Sequence, residues 1–233
     1  MISYLFNEIF YKPLFNGLIF LYNIIPNNDM GVSIIVLTII IRLILWPLTS
    51  KGIKSQKALT ALQPKIEEVK KKFKDNKEAQ AKALMVLYSE NKINPLAGIL
   101  PLLIQIPIII ALWRVFLNSL NYDFSLIYPF IEAPTEVRTV FLGLFDLTKR
   151  SVLLAVAAGI LQYFQTKMIM PVFSADKSSG SVNFSQIMSK QMLYFGPIIS
   201  VVIFWNLPSA LPLYWIVVTL ITLFQQYINK SRT

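Results

Sequence analysis

The chain of 233 residues contains no cysteine and no histidine. Without cysteine it can form no disulfide, use no thiolate nucleophile and carry no lipid on sulfur. Without histidine it lacks the usual zinc ligand, the base of most catalytic triads and the imidazole proton relay. A glycine-rich phosphate-binding loop is also missing. We therefore predict no catalytic residue, no metal and no cofactor.

Acidic residues are scarce as well. The chain has 12 Asp and Glu against 22 Lys and Arg, a formal net charge of +10 at pH 7. None of the acidic residues falls in a long apolar run, so a proton relay or cation site at membrane depth would have no carboxylate. The basic residues are not interleaved with stacking aromatics, so we expect no direct nucleic acid recognition. In a membrane protein such an excess points to topology and anionic lipid.

Hydrophobic residues are abundant in the chain. Hydrophobic residues make up 55% of it, against roughly 45–50% in an average soluble domain. Several apolar runs approach the roughly 20 residues that cross a bilayer as a helix. We predict an all-α integral membrane protein with five transmembrane helices, at about residues 31–48, 95–117, 152–170, 192–207 and 209–227.

Residues 1–27 precede these spans and are predicted to form a separate unit outside the cytoplasm. Their apolar run, Leu14 to Ile25, is too short to cross a membrane comfortably. Several polar residues share one broad side of the helix that this segment would form, namely Ser3, Asn7, Glu8, Lys12 and Asn16. The pattern predicts an N-terminal amphipathic helix that lies in the membrane interface. No small-residue cleavage site follows Lys12, so we expect the first residues to remain in the mature protein.

Residues 51–92 are basic and polar, with eleven lysines against five acidic residues. Apolar residues recur there at three- and four-residue spacing, which is typical of one helix face, at Leu59, Leu62, Ile66, Val69 and Phe73. Asp75 and Asn76 interrupt the pattern before it resumes, and Pro64 is expected to kink the first arm. We predict a helical hairpin over residues 51–92.

The lysines also predict the orientation of the chain in the membrane. Short loops rich in Lys and Arg stay in the cytoplasm. Residues 28–233 are therefore predicted to form a five-span core with the 51–92 hairpin and a second loop, 172–190, on the cytoplasmic side. Because the number of spans is odd, the N-terminus lies outside and the C-terminus inside.

Arg42 is a charged residue in the middle of the apolar sequence of the first span. A charge there costs roughly 3 kcal/mol or more, and a guanidinium does not escape by losing its proton. Arg42 lies about 9 Å from the inner end of the span, so its side chain could snorkel to the headgroups. The alternative is a hydrated functional cavity, the default expectation for an intramembrane charge. The residues alone leave both interpretations open.

Polar side chains at helical spacing recur along four of the predicted spans. They are Thr38, Arg42 and Trp46 in the first span, Gln105 in the second, Gln162 and Thr166 in the third, and Trp215, Thr219, Thr222 and Gln226 in the fifth. These residues could converge on one hydrated cavity. Thr and Gln also serve as ordinary contacts between membrane helices, so packing is the alternative.

Short motifs occur in a fixed order along nearly the whole chain. They are residues 39–49 around Arg42, 62–66 around Pro64, Leu87-Tyr88, Asn94-Pro95-Leu96, 100–108 around Gln105, Phe145 to Thr148, 207–216 around Tyr214 and Trp215, and Gln225-Gln226. Through these motifs the chain resembles the YidC/Oxa-type membrane protein insertases. The resemblance is to the bacterial YidC core without the large periplasmic domain.

The resemblance implies a membrane protein insertase and chaperone of the bacterial plasma (inner) membrane, without covalent chemistry or nucleotide hydrolysis. Family members receive nascent hydrophobic segments in a hydrophilic groove open to the cytoplasm and release them laterally into lipid. The groove arginine of the family corresponds to Arg42. The substrate groove implied for this chain comprises Arg42, Thr38, Gln105, Gln162, Tyr214 and Trp215.

The partners implied by the resemblance are nascent membrane proteins, with the ribosome and the Sec translocon as further candidates. Anionic lipids are expected at the basic hairpin. Two other classes of function stay open: a small-solute transporter or channel, and a non-catalytic assembly factor of a Sec-type translocon. A transporter predicts internal repeats and a binding site at the midplane, and the sequence shows neither an inverted repeat nor an intramembrane carboxylate.

Overall fold

A computed structural model describes residues 2–94, 100–120, 124–169 and 184–231, and most of these residues are helical. Some predicted features lie outside the described residues. They are the start of the second span at 95–99, the Pro95-Leu96 motif and residues 172–183 of the second loop.

Nine α-helices and one short β-ladder account for most of the described residues. The helices are α1 (Ile2–Phe6), α2 (Lys12–Ile24), α3 (Met30–Ile44), α4 (Trp46–Lys72), α5 (Lys77–Glu90), α6 (Leu100–Leu120), α7 (Val152–Ile169), α8 (Phe184–Trp205) and α9 (Ala210–Ser231). A turn of π-helix, Asn7–Tyr11, joins α1 to α2, and a 3-10 turn, Pro26–Asn28, precedes α3. The ladder pairs β1 (Val140–Phe141) with β2 (Phe145–Asp146) in antiparallel fashion.

Among the described residues, two helices are long and apolar enough to cross a membrane, α7 and α9. Helices α3 and α4 would add a third span if the bent pair is counted as one. Shorter apolar stretches, Gln105–Phe116 and Leu193–Trp205, lie within α6 and α8. The prediction of a mostly helical membrane protein is thereby confirmed, with two or three candidate spans.

The first predicted span, 31–48, is broken at Leu45. Helix α4 begins at Trp46 and is bent from α3 by 69°. Pro47 occupies the first turn of α4, where its missing N–H costs nothing, whereas in the interior of one continuous helix it would remove a hydrogen bond. Trp46 therefore does not continue the face of Arg42, as its spacing predicted. Its ring instead packs edge-on near Phe224, with 6.2 Å between centroids.

The predicted loop 172–190 is wrong from residue 184, where α8 begins. Serine and polar residues in this segment indicated a loop. Phe184, Ile187 and Met188 are nevertheless spaced as on one face of a helix. That periodicity continues into the apolar half of α8, and it is the signal that the composition concealed.

Helices α4 and α5 form a hairpin with little buried surface. Asn76 caps α5, because its side-chain oxygen accepts the N–H of Ala79 at 2.9 Å. Leu62 and Ile66 are buried on α4, whereas α5 has no buried residue. Helix α4 runs through Pro64 as a single element. The Gln80 amide of α5 also donates to the carbonyl of Lys70 on α4 at 3.0 Å.

Helix α2 is covered by the segment that follows α6. Asn16, which the helical pattern places on the polar side of an interfacial helix, is only 1% exposed. Its amide donates to the carbonyl of Leu126 at 2.9 Å and accepts the N–H of Tyr128 at 2.6 Å. The Tyr22 hydroxyl accepts the N–H of Arg138 at 2.8 Å in the same way. These polar groups pair with loop backbone, so they are buried at little cost.

Asp29 joins the start of α3 to the β-hairpin. One carboxylate oxygen accepts the N–H groups of Gly31 and Val32, and the other accepts the N–H of Leu142 at 2.8 Å. Asp146 closes the hairpin on its other strand. The hydrogen bond from the Thr148 hydroxyl holds the pKa of the Asp146 carboxyl below its usual range.

Helix α7 packs closely against both α8 and α9. Ala155, Ala158 and Gly159 are buried on α7, and small residues of this kind let membrane helices approach. A Cβ on Gly159 would lie 2.3 Å from Val201 of α8. Helix α9 contacts both α7 and α3. Its position between them allows it to present side chains to two sites.

Candidate functional site

Arg42 lies in the last turn of α3, and only 9% of its surface is exposed. Asp29 caps helix α3. The interior backbone groups of the helix hydrogen-bond to one another, which a segment in lipid requires. The C-terminal end of a helix is also its negative end, which favours a nearby cation. The sequence therefore places Arg42 where the helix itself contributes to stabilising the charge.

Gln105 connects Arg42 to Tyr214 and so links three helices. Nη2 of Arg42 donates to Oε1 of Gln105 at 3.0 Å. Nε2 of Gln105 donates to the hydroxyl of Tyr214 at 2.6 Å. Gln105 comes from α6 and Tyr214 from the first turns of α9. We call Arg42, Gln105 and Tyr214 the arginine cluster.

The arginine cluster contains no negative charge. Within the described part of the chain, the ion pairs are Lys12 with Glu8, Lys82 with Glu78, and Lys149 with Asp146, and none of them includes Arg42. A buried cation is normally paired with an anion. Among the described side chains, the hydrogen-bond partner of Arg42 is the neutral amide of Gln105.

A second polar cluster lies on the other side of α9. Oε1 of Gln162 accepts the hydroxyl of Ser200 at 2.6 Å and the indole N–H of Trp215 at 3.1 Å. Trp215 follows Tyr214 directly, and consecutive residues of a helix point about 100° apart. The two neighbours therefore serve different clusters. The sequence did not single out Ser200. Its hydrogen bond to Gln162 in the structure identifies it as a member of this cluster.

Three of the predicted polar residues, Thr38, Thr166 and Thr222, donate their hydroxyl hydrogen bonds within their own helices. The Thr38 hydroxyl donates to the carbonyl of Ile34 at 2.6 Å, and Thr38 is 2% exposed. The Thr166 hydroxyl donates to the carbonyl of Gln162 at 2.9 Å. Such back-bonding is common for threonine in helices. The structure thus groups Arg42 with Gln105 and groups Gln162 with Trp215, and it leaves Thr38 beside the arginine cluster on α3.

A third polar region lies where α4 meets the last turns of α9. Nε2 of Gln225 donates to the Thr49 hydroxyl at 3.0 Å. Gln226 is 1% exposed, and neither its amide nitrogen nor its amide oxygen has a hydrogen-bond partner among the described residues. Thr219 and Thr222, which belong to the same predicted stripe, are buried as well. The stripe on α9 thus faces the protein interior.

The charge and hydrogen-bonding groups of the arginine cluster are suited to electrostatic recognition of a ligand. In the part of the chain that the structure describes, no three His, Cys, Asp or Glu side chains come together in a way that could hold a metal ion. The arginine cluster instead offers one fixed positive charge held by neutral dipoles. Such a site attracts an anion or the oxygen end of a polar group.

The fold and the clusters define a mostly helical integral membrane protein with a positively charged interior site. The chain belongs to the 60Kd inner membrane protein family, whose family model matches residues 20–233. This match confirms the resemblance drawn from the motifs.

Named relatives agree with the family. The membrane protein insertase YidC of Geobacter metallireducens is 35% identical over 221 residues, which are 94% of this chain and 37% of that protein. The protein of the same name from Citrifermentans bemidjiense is 36% identical over 223 residues, with 94% and 36% covered. That of Syntrophus aciditrophicus is 35% identical over 222 residues, with 94% and 36% covered. The chain therefore spans little more than a third of the length of these curated relatives.

Proposed function

We propose that this chain is a membrane protein insertase and chaperone that works without covalent chemistry and without nucleotide hydrolysis. One observation carries the proposal: Arg42 is a buried cation at the inner end of α3 whose partner among the described residues is a neutral amide. The names of the related proteins support it.

In the proposed mechanism the substrate brings the missing negative charge. A polar, often acidic leading segment enters from the cytoplasm, and its carboxylate comes to lie beside Arg42 in place of the Gln105 oxygen. The attraction between the two charges offsets part of the cost of taking them out of water. Burial of the hydrophobic substrate helix in lipid then drives its release, because a helix satisfies its own backbone groups there.

The residues of the proposed groove have different tasks. Thr38, Arg42 and Gln105 line the groove, and the Tyr214 hydroxyl orients the Gln105 amide by accepting its N–H. Gln162 and Trp215 lie along the edge by which the substrate helix leaves. Apolar side chains on α7 and α9 supply a surface for that helix, and the exposed ones include Ile160, Phe164, Leu220 and Phe224.

We further propose a topology of five spans in the bacterial plasma (inner) membrane, formed by α3, α6, α7, α8 and α9. Residues 1–27 form an extracytoplasmic unit at the interface, and residues 28–233 form the core. The 51–92 hairpin and the segment between α7 and α8 face the cytoplasm, with the N-terminus outside. The excess of lysine in the hairpin supports this orientation.

The proposed partners follow from the mechanism. Nascent membrane proteins are the substrates, and the basic hairpin meets them first while it contacts anionic lipid. The ribosome and the Sec translocon are further proposed partners, since both deliver or share such substrates.

Reconstitution of the purified chain into liposomes tests the proposal. A small single-span substrate synthesised beside the vesicles is expected to insert faster than into empty liposomes, as measured by protease protection. Release of a trapped small solute, measured in parallel, should match that of empty vesicles, which separates an insertase from a channel. Insertion at the rate of empty liposomes, with the helical circular dichroism spectrum intact, would contradict autonomous insertase activity.

A further inference from the structure

The turn of the β-hairpin is unusually apolar. Phe141, Leu142, Gly143, Leu144 and Phe145 follow one another without a polar residue, whereas hairpin turns usually carry polar residues or glycine. Leu142 is 63% exposed and Leu144 is 75% exposed. Val140 on β1 is 45% exposed. The tip therefore presents hydrocarbon away from the protein.

Turn geometry does not account for leucine at this position. Leu142 and Gly143 both have positive φ, 49° and 73°, and this conformation favours glycine or asparagine over residues with a bulky side chain. Asparagine at 142 would form the same turn with less backbone strain. Leucine there indicates that its apolar side chain has a separate use.

Both strands of the hairpin are attached to the rest of the protein, whereas its tip stays exposed. Asp29 accepts the N–H of Leu142 at 2.8 Å. Gly31 packs so closely on the Phe141 ring that a Cβ would lie 2.2 Å from it. On the other strand, the Ser209 hydroxyl donates to the carbonyl of Asp146 at 2.8 Å. Both strands are thus tied to the starts of neighbouring helices.

These ties fix the hairpin beside the starts of two helices. The hairpin is bonded to the first turn of α3 through Asp29, and to the residue before α9 through Ser209. The chain then enters α7, whose first residues, Val152 and Leu153, are exposed and apolar. Three apolar helices therefore start beside the hairpin, and exposed apolar side chains occur both at its tip and in the first turn of α7.

Basic residues complete an interfacial pattern. Lys149 and Arg150 stand between the hairpin and α7, and both are exposed. Apolar side chains beside lysine or arginine are typical of segments that lie at the boundary between headgroups and acyl chains. Lys149 also pairs with Asp146 at 3.2 Å, and Arg150 adds a positive charge that matches the anionic phosphates of the headgroups.

We propose that Val140, Leu142 and Leu144 form a wedge that inserts into the lipid interface on the side of the membrane where α3, α7 and α9 begin. The wedge holds the starts of these helices at a fixed depth. Its ligand is the lipid at the boundary of headgroups and acyl chains, with Lys149 and Arg150 beside the phosphates.

Because the chain contains no cysteine, a single cysteine can report on the wedge. Leu144→Cys and Val140→Cys are each labelled with an environment-sensitive NBD fluorophore in proteoliposomes. Glu136→Cys, at an exposed position of the same extramembrane segment, is the matched control. We expect blue-shifted emission for both wedge positions, and quenching by lipids brominated near the headgroup at least twofold stronger than at 136.

Two results would overturn the proposal. Emission and quenching equal to those of Glu136→Cys would show that the tip lies in water. Blue-shifted emission without quenching by brominated lipid would show that protein, and not lipid, covers the tip. Helical circular dichroism and monodisperse elution of each labelled variant establish that the comparison is made on folded protein.

Discussion

At the scale of single residues, Arg42 combines a permanent charge with burial and a neutral partner. A hydrogen bond to a charged group contributes roughly 1.5–3 kcal/mol net. Placing arginine at the centre of a membrane helix costs roughly 3 kcal/mol on insertion scales, and Arg42 lies nearer the end of its helix, in the last turn of α3. The Gln105 amide contributes a neutral dipole, whereas a carboxylate that reaches Arg42 would contribute a full opposite charge.

We expect Arg42→Ala to slow insertion of substrates with acidic leading segments by about tenfold, since loss of about 1.4 kcal/mol changes a rate by that factor. Substrates with neutral leading segments should change much less, because they present no charge to the guanidinium. Arg42→Lys should be milder than Arg42→Ala, since the charge remains. Insertion rates in proteoliposomes for a matched acidic and neutral substrate pair measure the difference.

Arg114→Ala provides the control for this prediction. Arg114 is an exposed arginine on α6, where it donates to Asn7 at 3.3 Å and lies over the Phe6 ring. It is remote from the arginine cluster along the helix, so its loss should slow both substrates equally or neither. An Arg42→Ala variant that treats the two substrates alike would contradict the proposed role of the charge.

At the scale of elements, the contact between α4 and the last turns of α9 contains one satisfied and one unsatisfied glutamine. Gln225 is hydrogen-bonded to Thr49, whereas the Gln226 amide has no partner among the described residues. A buried polar group without a partner costs about 1–3 kcal/mol. Adjacent residues of the same type should therefore respond in opposite ways to the same substitution.

We expect Gln226→Leu to raise the free energy of unfolding by about 1 kcal/mol, because it removes an uncompensated amide. Gln225→Leu should lower it by about 1 kcal/mol, because Thr49 loses its cross-helix partner. Unfolding of both variants in the same detergent, followed by circular dichroism, gives the comparison. If the two variants are destabilised equally, Gln226 has a partner in solution, for example an ordered water.

The contact between α7 and α8 depends on a glycine. A Cβ at Gly159 would lie 2.3 Å from Val201 and 3.2 Å from the carbonyl of Pro197. We expect Gly159→Ala to destabilise the protein by about 1–3 kcal/mol, the usual cost of overpacking. Thermal unfolding in detergent measures it.

A second substitution and a control variant test whether the clash with Val201 causes the destabilisation. Adding Val201→Ala to Gly159→Ala removes the nearest clash, so the double variant should be less destabilised than the sum of the single ones. Gly17→Ala is the control, since a Cβ there would lie 3.4 Å from Leu37, an ordinary contact. Alanine also favours a helix over glycine, so Gly17→Ala should be neutral or slightly stabilising.

At the scale of the whole molecule, charge is divided between the two ends of the proposed core. The hairpin of α4 and α5 carries most of the lysines, whereas the segment 124–150 has Arg138, Lys149 and Arg150 as its only basic residues. The more basic loops of a membrane protein stay in the cytoplasm. This asymmetry makes the orientation testable with two positions.

We expect Glu132→Cys to react with a membrane-impermeant maleimide in intact cells, because the proposed topology places it outside. Lys82→Cys, on the exposed face of α5, should react only after the membrane is permeabilised. Both positions are exposed, so accessibility within the protein does not limit either reaction. Labelling of both cysteines from the same side would contradict the proposed orientation.

Much of the fold could be predicted, because a segment that crosses lipid must satisfy its backbone hydrogen bonds internally, as a helix does. The apolar runs behind α7 and α9 predict membrane helices directly, and the spacing of Leu62 and Ile66 predicts a helix in the basic segment. The break at Leu45 was missed because the apolar run continues through Trp46 and Leu48. Pro47 is the signal that marks it, since proline favours the first turn of a new helix. The β-hairpin was missed because its strands are only two residues long each.

The sequence predicted which residues belong to the candidate site better than it predicted which of them contact each other. Arg42, Gln105, Tyr214 and Trp215 stood out by residue type and by motif. Their division into two clusters depends on the rotation of α9, which hydrophobic periodicity defines only to within a broad face. Ser200 carries no distinguishing signal of its own in the sequence.

The sequence by itself determined that this is a membrane protein with a basic hairpin and a charge inside an apolar helix, because hydropathy and charge are properties of the residues. It also determined the family, through motifs in a fixed order. Only the tertiary structure decided which neutral group faces Arg42, that Gln226 is buried without a partner among the described residues, and that the tip at Leu142 and Leu144 is held away from the protein. Those features depend on how helices far apart in sequence pack together, and packing is decided by the whole chain at once.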